Sequence, residues 1–167
     1  DGAYYTIVSG PALGDAGHGR GVVLADFDND GRLDFYVARH NEPGLIAFGT
    51  GSDTFAPTAL ALPEAGGPCT AVACGDVDGD GGLDLYLSRD GQPNVLLHNT
   101  ISARGHWLHI DLIGDETNTD AIGARVRVVA GAVSQVREVS AGGEGLAQNP
   151  RRLAFGLGAT ATADSVI

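Results

Sequence analysis

The chain has 167 residues, enough for one ordinary domain or two small ones with a real core. Glycine is abundant at 26 residues, methionine is absent, and the apolar residues fall in short runs between Gly, Asp and Pro, which leaves almost no helix signal and excludes a long apolar membrane-spanning stretch. A formal charge of −11 excludes nucleic acid and anionic membrane as partners, because both require basic patches, and makes metal cations the natural counter-charge.

A chain that starts at Asp1 and contains no methionine is expected to be a processed product or a fragment. Tyr4, Tyr5, Ile7 and Val8 form a first strand candidate. An apolar strand at Val22, Val23 and Leu24 then leads into an acidic turn, Asp26 to Asp34, followed by a strand at Phe35, Tyr36 and Val37. Past Pro43 the run Leu45 to Phe48, a Gly/Ser/Asp turn, and Thr54 with Phe55 read as a further hairpin. The same order then returns: strand at Val72, Ala73 and Cys74, acidic turn Asp76 to Asp84, strand at Leu85, Tyr86 and Leu87, and a last apolar run ending near Asn99. Shifting the sequence by 50 residues superposes Asp26, Asp28, Asp30, Gly31, Leu33, Asp34, Tyr36, Arg39 and Pro43 on identical residues. Such a period marks blades or solenoid turns, units that cannot bury their own face alone.

Cys69 and Cys74 lie on the second apolar strand. If it is extended, their Cα atoms are about 16 Å apart, beyond the reach of a disulfide, and a bridge would need a bend. Beyond the junction Ala103 to Trp107 the texture changes to alternating strands without Asp clusters, placing a domain boundary at about residue 103. There Arg125, Arg127 and Arg137 alternate with Val126, Val128 and Val136, as expected for a sheet with its polar face outward.

Both acidic turns read DxDxDGxxD. Ca²⁺ takes six to eight hard oxygen ligands, and carboxylates at turn positions 1, 3 and 5 converge on it when the chain coils. These are Asp26, Asp28 and Asp30 in the first turn and Asp76, Asp78 and Asp80 in the second. Gly31 and Gly81 permit the sharp bend. Arg32 and Gly82 are placed to offer backbone carbonyls, Asp34 and Asp84 to close the shell, and Leu33 and Leu83 to point inward as anchors. An EF-hand would need Glu at position 12, where Val37 and Leu87 stand, so that reading fails. Two bound calcium ions would bring the formal charge from −11 to −7, since −11 plus 4 is −7.

At these residues the sequence resembles the FG-GAP/VCBS repeats, which are similar to the calcium-bearing blades of integrin propellers. The resemblance covers roughly residues 18 to 99. From Trp107 onward, Gly114, Asn118, the run 121 to 126, the run 137 to 145, Gln148 and the run 155 to 158 resemble the ASPIC/UnbV domain. The resemblance implies a secreted, calcium-dependent, all-β protein used in adhesion or ligand contacts. A propeller usually has four to eight blades, yet two are seen.

The expected architecture is therefore all-β, with two propeller-blade-like calcium repeats at residues 1 to 103 and a small β-sandwich or barrel-like domain at 104 to 167. The expected function is calcium-stabilised extracellular or cell-surface association with other protein chains, copies of this chain included, through open β edges that could build an oligomer or fibril. A fragment of a larger propeller binding a glycan or protein ligand is the alternative; calcium bridging to a sugar is disfavoured because each turn already supplies nearly a full oxygen shell. Catalysis is not expected. His18, His40, His98, His106 and His109 lack any organising motif, His106 and His109 face opposite sides of one strand, and each His is read as a surface or packing residue.

Overall fold

The structure is a computed structural model that describes residues 17–51, 54–57, 67–101, 104–142 and 146–167. The first strand candidate at Tyr4 to Val8, the hairpin tip at 52 and 53, and the boundary at 103 lie outside the described residues. Twelve strands and no helix are found among them, so no helix is long and apolar enough to cross a membrane.

The first unit is an antiparallel meander of β1 (Gly19–Ala25), β2 (Asp34–Arg39), β3 (Leu45–Gly51) and β4 (Thr54–Pro57), hydrogen-bonded in that order. The second unit repeats it with β5 (Cys69–Gly75), β6 (Asp84–Arg89) and β7 (Val95–Leu97). The repeat holds at the level of register: Ala25 faces Asp34 as Gly75 faces Asp84, and each inner pair carries its irregularity at the same place, between Gly19 and Gly21 and between Cys69 and Ala71. Each acidic turn therefore joins the first two strands of its blade.

The blades pack face to face because each has two apolar sides. Alternation puts Val23, Ala25, Tyr36, Ala38 and Ile46 on the side of the first blade that meets Val72, Cys74, Leu85, Leu87 and Leu97 of the second. Gly21 lets β1 approach closely; a Cβ there would lie 3.0 Å from the Val72 side chain and 3.3 Å from its backbone nitrogen. The remaining sides are only partly covered: on the first blade Phe35 and Ala47 are buried against Val37, Leu45 and Phe55, while neighbouring residues are exposed. Tyr36 is fully buried while its counterpart Tyr86 is 48% exposed, and Val72 is 1% exposed while its counterpart Val22 is 47% exposed. Cys69 and Cys74 are buried on the extended strand β5, and no disulfide joins them.

The C-terminal unit is a sandwich and not a closed barrel. One layer orders β10 (Val133–Glu138), β9 (Arg125–Ala130) and β12 (Ser165–Val166); the other pairs β11 (Leu153–Gly158) with β8 (His106–Ile110). Val126, Val128, Ala130, Leu153, Phe155 and Leu157 fill the space between them. The expected outward Arg row holds for Arg125 and Arg127 but fails for Arg137. On β10 it is Val136 that is exposed, whereas Gln135 is buried and the Arg137 guanidinium stacks 5.5 Å from the centre of the Phe155 ring. The side facing the first acidic turn is polar because that turn is polar.

Candidate metal centres

The first turn coils around its own carboxylates. Asp26 accepts hydrogen bonds from the backbone nitrogens of Asp30 (3.1 Å) and Gly31 (2.8 Å), and Asp34 accepts them from Phe27 (2.7 Å) and Gly49 (2.8 Å). Gly31 supplies the bend with φ of 92°, a left-handed conformation costly for other residues; Asn29, with φ of 59°, is one of the few non-glycines that tolerate it. As a result, ligand oxygens of Asp26, Asp28 and Asp34 lie within 4.8 Å of one another.

Asp26 and Asp34 are buried, and among the described residues no cationic side chain forms an ion pair with Asp26, Asp28 or Asp34. Burial first, with the neighbouring carboxylates adding to it, pushes Asp34 up to about 7 and Asp26 up to about 6, and Asp28 rises for the same reasons. An all-oxygen set that is strained by its own negative charge fits a hard divalent cation.

The second turn repeats the frame. Gly81 donates to Asp76 (3.0 Å), Val77 to Asp84 (3.0 Å) and Asn99 to Asp84 (2.7 Å), matching their counterparts fifty residues earlier. Here Asp76, Asp78 and Asp80 form one group within 4.8 Å, and Asp78, Asp84 and His98 form another. The charge balance differs from the first turn. His98 Nδ1 lies 2.9 Å from Asp84 and Nε2 lies 3.1 Å from Asp78, while Arg104 Nη2 donates to Asp80 at 2.5 Å. The Asp84 hydrogen bond raises the His98 pKa, and the Arg104 hydrogen bond holds Asp80 below the usual carboxylate range. His109 Nδ1 stands 3.6 Å from Asp76, and burial lowers its pKa.

Set against the expected ligands, the first turn gathers Asp26, Asp28 and Asp34 but turns Asp30 toward Arg32, with which it forms an ion pair. The Arg32 side chain also donates to the Gly49 carbonyl (2.7 Å), and the Gly82 backbone donates to Asp80 (2.8 Å). In the second turn Asp84 joins Asp78 and His98 instead of closing a shell with Asp76 and Asp80. Leu33 does not point inward but is exposed, while Leu83 packs against the core shared by the two blades. His98 was legible only as a surface or packing residue, because its role depends on β7 bringing it across to β6. Its counterpart in the first blade, Phe48, offers no such signal.

Asn29 joins the two centres by donating from Nδ2 to the Gly81 carbonyl (3.0 Å), and Asn99 reaches from the second blade to the Phe27 carbonyl (2.8 Å). No curated protein matches the chain. Residues 26–87 match the FG-GAP-like repeat family, and residues 114–167 match the family described as ASPIC and UnbV. The two acidic turns and the strands between them thus fall within the FG-GAP-like match, and most of the following sandwich falls within the ASPIC and UnbV match.

Proposed function

We propose that this chain is a calcium-stabilised extracellular module that associates with other protein chains, and that it is not an enzyme. The observation that carries the reading is the recurrence of one carboxylate frame at register-equivalent places in both blades, with a buried all-oxygen group in the first that has no ion-pair partner among the described residues. Asp26, Asp28 and Asp34 would hold one ion, and Asp76, Asp78 and Asp80 a second. Each ion would neutralise repelling carboxylates and fix the turn between the first two strands of its blade. FG-GAP repeats are typical of extracellular or surface proteins, where calcium near millimolar would fill even a weak site.

Association is supported by the apolar residues exposed on the outer sides of the two blades. Val22 and Leu24 on one, and Tyr86 and Leu96 on the other, are exposed at positions whose counterparts are buried between the blades. A second copy presenting the opposite side would reproduce a contact the chain already makes; further blades of the same kind would cover these sides equally well. The ion reading is tested by thermal unfolding. Chelator lowers the melting temperature of the unmodified chain, and Asp28→Ala combined with Asp78→Ala abolishes that response; an unmodified chain indifferent to chelator ends the reading.

A further inference from the structure

The C-terminal sandwich sits directly on the first acidic turn. Gly105 donates its backbone N–H to the Asp28 carbonyl (2.9 Å), and Gly158 donates to the Asn29 carbonyl (2.8 Å). These two carbonyls lie between the ligands at positions 1 and 9, in the part of the turn that must coil for the carboxylates to converge. The β8–β11 ladder shifts register between Gly156 and Gly158, which turns the Gly158 N–H out of the sheet and toward Asn29. Contact is close enough that side chains are excluded. A Cβ on Gly156 would run into the Asp26 carboxylate and come within 2.5 Å of the Asn29 backbone, and a Cβ on Gly105 would overlap the Asn29 carbonyl. From the other side, a Cβ on Gly31 would lie 3.3 Å from Val133 and 3.5 Å from Gln135, whose amide in turn bonds the Gly156 carbonyl at 2.6 Å.

We propose that the β8–β11 sheet is a wall of the first ion site, with Gly105, Gly156 and Gly158 as positioning residues that hold the turn in its ion-binding shape. The proposal rests on the calcium reading above. Ion binding and seating of the C-terminal unit then favour one another, because a coupling between two events acts equally in both directions. The second turn is gripped differently: Trp107 covers Gly81, and Arg104 pairs with Asp80, so side chains there take the place of the backbone bonds.

Two measurements on the full chain test this. In an Asp78→Ala background, where the first turn is the remaining site, calorimetric titration with calcium should show Gly156→Ala weakening affinity by about tenfold or more. In the unmodified chain, calcium should slow hydrogen exchange at the Gly105 and Gly158 amides, and Asp28→Ala should erase that slowing. Calcium bound with unchanged exchange at both amides, or bound by Gly156→Ala with undiminished affinity, overturns the coupling while leaving the ion site standing. An unmodified chain that binds no calcium overturns the ion reading itself, and the coupling with it.

Discussion

Asp34 and Asp84 fasten the chain: each accepts backbone N–H hydrogen bonds on both oxygens, one from the turn seven residues back and one from a residue fifteen positions on, Gly49 in the first blade and Asn99 in the second. What separates the two turns is the charge around them. Arg104 and His98 already offset the second set of carboxylates, whereas no comparable ion pair reaches Asp26 or Asp34 among the described residues. A filled site at hundredfold excess of ion contributes about 2.7 kcal/mol, several degrees of melting temperature in a chain of this size. Asp28→Ala should therefore remove more of the chelator-sensitive stability than Asp78→Ala, read by calorimetric melting of the two single variants. Acid should act through the same residues. Asp34 at about 7 and Asp26 at about 6 sit far above their unfolded values, so in the metal-stripped fold they add stability when protonated and lose that contribution as pH rises through 6 and 7. Calcium must displace those protons, and the gap in melting temperature between loaded and stripped protein should narrow as pH falls from 8 to 6. The carboxylate pattern was legible in the sequence because nine-residue spacing fixes which side chains a coiled turn can gather. His98, Arg104 and Arg137 were not, because their positions depend on pairing between distant strands.

Strand order, both blades and the alternating sandwich strands were readable because period-two patterning states which residues share a side. It could not say which side of β10 faces inward, since Gln135 and Arg137 are drawn in by a polar neighbour contributed by another unit. A second unreadable detail concerns the ends of β2 and β6. Arg39 forms an ion pair with Glu42 at 3.4 Å, but the fifty-residue counterpart of Glu42 is Gln92. Nε and Nη2 of the corresponding Arg89 are buried without a hydrogen-bond partner among the described residues, although Arg89 Nε and the Gln92 amide oxygen both approach Gly67. A buried unsatisfied donor costs about 1–3 kcal/mol. Gln92→Glu should restore the missing partner and raise the melting temperature by a few degrees, with Arg89→Ala abolishing the gain; this is checked by melting the single and double variants.

At the scale of the whole molecule, one face-to-face contact between blades has been made, and among the described residues its two complementary halves keep exposed apolar residues at Val22, Leu24, Tyr86 and Leu96. If association uses those halves, a charge on either should block it. Leu24→Asp and Leu96→Asp are expected to leave the fold intact, since both side chains are exposed, and to shift any calcium-dependent oligomer toward monomer in sedimentation or sizing. An oligomer unaffected by both substitutions would place the contact elsewhere. The sandwich's seat on the acidic turns was not legible in the sequence, because glycine N–H groups leave no pattern there. The thiols of Cys69 and Cys74, held apart along β5, have a last consequence. No covalent staple fastens this pair, and the proposed cross-links are ionic, so the module would be loosened by sequestering its ions while a reductant finds nothing there to cut.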